Sequence, residues 1–175
     1  MVEMRVSAFI RHGEPPEVLL IQHCGRGRTY ATLPGGTMGE GETLEDTFVR
    51  AVYEESGLHV VQDDLLFVAD IVDPAAGGPV LHLIFSGTIV DGFHSGLEKY
   101  RLPSEKPERP YFVPLRSLEH QGLSPPIAAH LLGACGSGFR EGGRYLVPGW
   151  TYFDQNADGL ASGDCDLDYA EKEKL

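Results

Sequence analysis

Short apolar runs bounded by turn residues alternate along this chain with one stretch of helical period. Val6-Ser7-Ala8-Phe9-Ile10 and Val18-Leu19-Leu20-Ile21 read as strands, joined across Gly13-Glu14-Pro15-Pro16 as a hairpin. Leu65 to Ala69 and Val80 to Phe85 read the same way, with Asp73-Pro74 and Gly77-Gly78-Pro79 marking the turn between them; the second run can extend past Gly87 to Val90. Tyr111 to Leu115 predicts a shorter strand. In between, Leu44, Phe48 and Val52 recur every fourth residue as one apolar row, and Asp46, Arg50 and Glu54 form a polar row with Glu55 beside it. That spacing predicts an amphipathic helix with its acids exposed. Thr43 supplies the N-cap, Asp46 closes a short capping box, and Gly57 is the stop. Ile127 to Leu132, with Pro125 and Pro126 at its start, predicts a second helix. Strands on both sides of an early helix, followed by a later one, make an α+β domain with a mixed sheet.

The chemistry concentrates around the first helix. Gly35 and Gly36 allow backbone to come close to a ligand, and the adjacent Glu54 and Glu55 offer the hard oxygen donors that Mg²⁺ prefers. Arg50, one turn before Glu54, can hold that carboxylate and offset the repulsion between neighbouring acids. Upstream, Arg26 and Arg28 are candidates for contacting substrate phosphates and Tyr30 for stacking on a base; a basic surface turn is the plainer alternative. His23 and His82 fall in or beside strands and read as histidines satisfied by hydrogen bonds, with no catalytic role assigned.

Gly36, Glu42, Arg50, Val52, Glu54, Glu55, Gly57 and Leu58, preceded by Leu33-Pro34-Gly35, resemble the box of the Nudix hydrolase family in both residue type and spacing. One position departs: Ala51 stands where the family has Glu directly after the Arg. The resemblance implies an α/β/α sandwich around a mixed sheet. It implies a metal, Mg²⁺ or Mn²⁺, held by Glu54, Glu55 and the Gly36 carbonyl, with Arg50 orienting the acids and Glu42 tying the loop to the helix. A further acid would come from outside the box; Glu98, Glu105 and Glu108 are the candidates, and Glu108 is preferred for its place before the Tyr111 strand. The implied activity is metal-dependent hydrolysis of a phosphoanhydride in a nucleoside diphosphate linked to another group, of the ADP-ribose or nucleotide-sugar type. Its alternatives are cleavage of nucleoside triphosphates or dinucleoside polyphosphates, and a non-catalytic nucleotide sensor, which Ala51 favours. A homodimer is compatible with the resemblance.

Composition narrows these readings. The 175 residues are enough for one core, and 42% hydrophobic content is ordinary for a globular domain. No apolar run approaches the about 20 residues that span a bilayer, and the N-terminus lacks the pattern of a secretory signal, so a cytoplasmic domain without membrane attachment is expected. A net charge of −12 opposes binding to a nucleic-acid polymer, yet suits a small phosphorylated nucleotide bridged to carboxylates by a divalent ion. Three scattered cysteines, Cys24, Cys135 and Cys165, read as reduced thiols. The domain is expected over 1–150 and a flexible acidic tail over 151–175. Within that tail Asp154 to Gly159 resembles half of an EF-hand loop, but Cys165 occupies the twelfth position where a bidentate Glu is required.

Overall fold

The computed structural model describes residues 3–25, 28–73, 78–91, 109–137 and 144–146. Among them the elements run β1 (Glu3–His12), β2 (Glu17–Gly25), β3 (Arg28–Thr32), β4 (Gly35–Thr37), α1 (Leu44–Ser56), β5 (His59–Asp73), β6 (Gly78–Asp91) and β7 (Arg109–Pro114). A 3-10 helix (Leu115–His120), α2 (Ala128–Ser137) and β8 (Arg144–Leu146) follow. The strands form one mixed sheet in the order β3-β2-β1-β6-β5-β8, with β4 paired to β1 and β7 to β2. The β1–β6 and β5–β8 pairs are parallel.

The predicted β1–β2 hairpin is paired at Arg11↔Val18 and His12↔Glu17, after which the strands part. β1 continues parallel to β6 from Ile10↔Gly87 back to Glu3↔Val80, while β2 pairs with β7 and β3. Successive side chains of a strand point to opposite faces, so strands that are apolar at consecutive positions feed two cores. Val6, Ala8, Ile10 and Leu19 pack with Phe48 and Val52 of α1. Phe9, Val18 and Leu20 pack on the other face with Leu131 and Ala134 of α2. Helices on both faces of one mixed sheet are the expected α/β/α sandwich. Each fully buried large side chain contributes about 1.5–3 kcal/mol by leaving water, and Phe48, in edge contact with Phe85 at 6.3 Å, anchors α1 to the sheet.

Helix α1 has the ends its sequence predicts. The Asp46 N–H donates to Thr43 Oγ1 (3.1 Å) and the Thr43 N–H to Asp46 Oδ2 (3.0 Å), a reciprocal capping box. Gly57 adopts φ 72°, and its N–H closes the last turn on the Tyr53 carbonyl.

Elsewhere tertiary pairing overrides local pattern. Arg28 to Tyr30, for which a basic surface turn was the plainer reading, lie in β3, a strand made by its pairing with β2 rather than by apolar residues of its own. β5 starts at His59 and carries the polar pair Asp63-Asp64 through register shifts between Gln62 and Phe67. Leu115 belongs to the 3-10 helix rather than to β7. Cys135 is a free, partly buried thiol, whereas Cys24 is disulfide-bonded, against the expectation for that residue. No described helix is long and apolar enough to cross a membrane. Arg26, Glu98, Glu105, Glu108, the 151–175 tail and its EF-hand-like run lie outside the described residues.

Candidate active site

The site is built on the passage from β4 into α1. β4 is squeezed between two neighbours: a Cβ on Gly35 would lie 2.4 Å from the Val6 carbonyl oxygen, and one on Gly36 would lie 3.0 Å from the Ala51 Cβ. Any side chain at Gly35 would collide with the β1 backbone, so glycine is dictated there by space.

The direction of the loop's polar groups follows from register. The Ala8 N–H donates to the Pro34 carbonyl and the Met38 N–H to the Met4 carbonyl, which places the hydrogen-bonded pairs of the β1–β4 ladder at every second rung. The Val6↔Gly36 rung between them is then also a hydrogen-bonded pair, and the Gly36 carbonyl faces β1. The Gly36 carbonyl, which the resemblance assigns to the ion, thus lies on the β1 side of β4. Gly35, on the alternate rung, is turned away from the ladder: its N–H donates to Glu55 Oε2 at 2.8 Å, and its carbonyl accepts from Arg5 Nη2 at 3.1 Å.

Arg50 and Glu42 bind the rest of the loop. Glu42 accepts from the Gly39 N–H (2.8 Å), Thr47 Oγ1 (2.9 Å) and Arg50 Nη2 (2.8 Å) through Oε2, and from Arg50 Nε through Oε1. The Arg50 hydrogen bonds, followed by that from Gly39, hold the Glu42 carboxyl down to about 2. The same guanidinium donates to the Thr37 carbonyl at 3.2 Å and to Glu54 Oε2 at 3.2 Å. Its own pKa is raised, chiefly by Glu42. Arg50 thus holds Glu54 as well as Glu42, and Glu42 joins the loop to the helix.

The structure brings Arg50, Glu54 and Glu55 to one end of α1 beside Gly35. Glu54 is half exposed, its side chain retaining 51% of its accessible surface. Ala51 is buried against Gly36, at the joint of helix and loop. Among the described residues no group of three or more His, Cys, Asp or Glu side chains is placed to hold a metal ion. Tyr30 lies on β3, its ring stacked on His23, away from α1 in sequence but joined to the loop through Leu33-Pro34. Arg5 was missed by sequence reasoning; a cation beside Met4 and Val6 in a half-buried strand was the available signal that it needed a partner.

A family model described as the NUDIX domain matches residues 1–124. A search of curated proteins finds no match. Among solved structures, a NUDIX hydrolase from Nitrosomonas europaea shares 19% identity and a TM-score of 0.66, with 81% of this chain and 93% of that one covered. A UDP-X diphosphatase shares 22% identity and a TM-score of 0.59, over 85% of this chain and 68% of that one. An ADP-ribose pyrophosphatase from Streptococcus suis shares 18% identity and a TM-score of 0.60, over 85% and 100%. At these identities the likeness is one of fold.

Proposed function

We propose, because this chain belongs to the Nudix family, that it hydrolyses a phosphoanhydride bond in a nucleoside diphosphate linked to another group, of the ADP-ribose or nucleotide-sugar type. The observation that carries the reading is the fixed pair of acids at the end of α1: Glu54 held by Arg50 and Glu55 held by the Gly35 N–H. The names of two structural neighbours, a UDP-X diphosphatase and an ADP-ribose pyrophosphatase, agree with cleavage at a diphosphate.

Nudix hydrolases generally use divalent metal ions. Mg²⁺ commonly takes one or two carboxylates and fills its remaining positions with water and substrate phosphate oxygens. Two carboxylates fit that mode of binding, and Mn²⁺ suits the same oxygen donors. Glu54 and Glu55 are therefore the residues assigned to the ion, and Glu108 remains the candidate for a third acid. Such an ion, when bound, supplies charge neutralisation on the diphosphate and a more acidic water. The chain's own contributions are positional. Arg50 holds Glu54, the Gly35 N–H holds Glu55 through Oε2, Glu55 or a loop acid is assigned as the proton acceptor, and Arg28 and Tyr30 of β3 are assigned to the phosphates and the base.

Ala51 supports a second reading, a module that binds a nucleotide without cleaving it. Release of nucleoside monophosphate from ADP-ribose, nucleotide sugars, nucleoside triphosphates and dinucleoside polyphosphates, measured with Mg²⁺, with Mn²⁺ and with chelator, decides between them. Metal-dependent turnover of the first two substrates is expected. Preference for triphosphates or dinucleoside polyphosphates would move the substrate class, and binding without product from any of the four would establish the sensor.

A further inference from the structure

Gly35 is buried, and it sits on a rung of the β1–β4 pair whose backbone polar groups turn away from β1. Each group is satisfied by a charged side chain: the N–H by Glu55 Oε2 at 2.8 Å and the carbonyl by Arg5 Nη2 at 3.1 Å. The two groups belong to successive peptide units. The Pro34–Gly35 unit is clipped on its inner edge to the Ala8 N–H, through the Pro34 carbonyl, and on its outer edge to Glu55. The Gly35–Gly36 unit is clipped on its inner edge by the Val6↔Gly36 rung and on its outer edge to Arg5. Between the two planes lies a glycine, the residue whose own dihedrals restrain the chain least. The charged groups come from opposite faces of the sheet. Val6, Ala8 and Ile10 pack with α1, the helix that carries Glu55, whereas Phe9 packs on the α2 side, and alternation along β1 puts Arg5 on the face of Phe9. Arg5 therefore reaches the Gly35 carbonyl from behind the sheet as seen from the two acids.

We propose that Arg5 is a positioning residue for Glu55: by holding the Gly35 carbonyl it fixes the chain at Gly35, and so the direction of the N–H that holds the Glu55 carboxylate. The assignment rests on the hydrolase reading for what Glu55 does and adds what keeps it in place. A buried carbonyl without a donor costs about as much as a lost hydrogen bond, so without Arg5 the Gly35–Gly36 plane turns toward another donor and the Gly35 N–H shifts with it. Arginine suits the task because its planar, permanently charged fork makes a charge-assisted bond with little loss of freedom. Groups that hold a metal ligand in place typically cost 10–100-fold in affinity or activity when removed, which sets the size of the effect.

The test reads the Gly35 N–H directly. Amide hydrogen exchange is followed by NMR on the full chain in chelator, for wild type, Arg5→Met, Arg5→Lys and Glu55→Gln. The Ala8 and Met38 amides, which donate to the Pro34 and Met4 carbonyls, serve as references on either side of the site. Arg5→Met is expected to speed exchange at Gly35 about tenfold or more relative to both references, approaching the rate in Glu55→Gln. Arg5→Lys keeps the charge without the fork and gives a smaller change in the same direction, which carries the comparison if Arg5→Met does not fold. With Mg²⁺ and substrate, Arg5→Met lowers kcat about tenfold with KM within about twofold, and Arg5→Lys recovers part of the loss. Equal acceleration at Gly35, Ala8 and Met38 would make Arg5 a stabiliser of the strand pair and overturn the proposal. Gly35 exchange unaltered by either Arg5 variant, or altered exchange with kcat untouched in an active protein, would overturn it as well. Exchange changed at Gly35 alone in a protein that cleaves nothing would retain the link from Arg5 to Glu55 and defeat the hydrolase reading, so the two fail separately.

Discussion

The two ends of α1 use the same residue type for opposite purposes. At the front, Glu42 retains 23% of its side-chain surface and receives hydrogen bonds from Gly39, Thr47 and both Nε and Nη2 of Arg50. At the rear, Glu54 retains 51% and meets Arg50 through Oε2 at 3.2 Å. A carboxylate surrounded by donors has its lone pairs committed to the fold; one held lightly keeps lone pairs for a cation or a proton. Arg50 joins the two, so the front of the helix sets the position of the rear. In the proposed reading, glutamates of one motif differ in role by how fully the fold already satisfies them.

The strongest way to break that comparison is at the rear. Glu54→Gln combined with Glu55→Gln is expected to lower metal-dependent turnover by roughly a hundredfold or more, since loss even of a metal ligand's supporting groups costs 10–100-fold. Gln retains an oxygen for the Gly35 N–H, and an exposed ion pair such as Arg50–Glu54 is worth about 0–1 kcal/mol, so the thermal midpoint should hardly move. Full activity in the double variant, or collapse of the fold, would place these acids with Glu42 as structure.

The rear acids were legible in the sequence because residue spacing on a helix maps directly onto a face, and the two ends of the helix were legible through Thr43 and Asp46 at the front and Gly57 at the rear, whose capping chemistry is local. The strands β3 and β4 were not, because polar residues such as Arg28, Thr29 and Thr37 become strand through pairing with β2 and β1, a property of the partner rather than of the segment. The direction of the Gly36 carbonyl was hidden for the same reason. Which carbonyls of β4 face the acids depends on its ladder with β1, and a shift of one rung exchanges Gly35 for Gly36. Arg5 and His23 act through partners 30 and 9 residues away, beyond any local pattern.

A second test separates the helix's apolar row from its polar one. Phe48→Ala empties a position 1% exposed that packs on Phe85, and is expected to cost about 3–5 kcal/mol by denaturant unfolding. Turnover per folded molecule should fall far less than in the double glutamine variant. If the residual folded protein were equally inactive, the placement of the acids would depend on sheet packing more than on Arg50 and Gly35.

Acid titration sharpens the front half. The folded Glu42 carboxyl lies near 2 against an ordinary 4.5, so its contribution is present above pH 4.5 and is lost as pH falls toward 2. His82, 1% exposed on β6, is pushed down to about 3 from 6.5 by burial first and by the Arg5 charge second. The unfolded chain takes up that proton below pH 6.5 while the folded chain does not, so stability declines from pH 6.5 to 3 by up to about 1.4 kcal/mol per unit. Denaturant unfolding from pH 7 to 2.5 should show both windows. Glu42→Gln removes the steepening below pH 4.5 and leaves the decline above it; His82→Gln does the reverse. A Glu42→Gln curve parallel to wild type throughout would mean that the carboxyl is not held as its hydrogen bonds indicate.

The smallest expected effect lies at the outermost contact of the front. Thr43 receives the Asp46 N–H and donates both its own N–H and its hydroxyl to Asp46 Oδ2. Thr43→Ala removes the hydroxyl and should cost about 1 kcal/mol, the usual loss of a helix N-cap. Its backbone N–H still reaches Asp46, and Glu42 still holds Gly39 and Arg50, so the loop keeps its anchor. Turnover is therefore expected to stay within about twofold of wild type at temperatures well below the unfolding transition, an effect equivalent to less than about 0.5 kcal/mol. A larger fall in turnover, with the modest loss of stability observed, would show that fraying of the first turn is transmitted along α1 to Glu54. The division between a structural front and a chemical rear would then fail, and the helix would have to be treated as one positioning unit from Thr43 to Glu55.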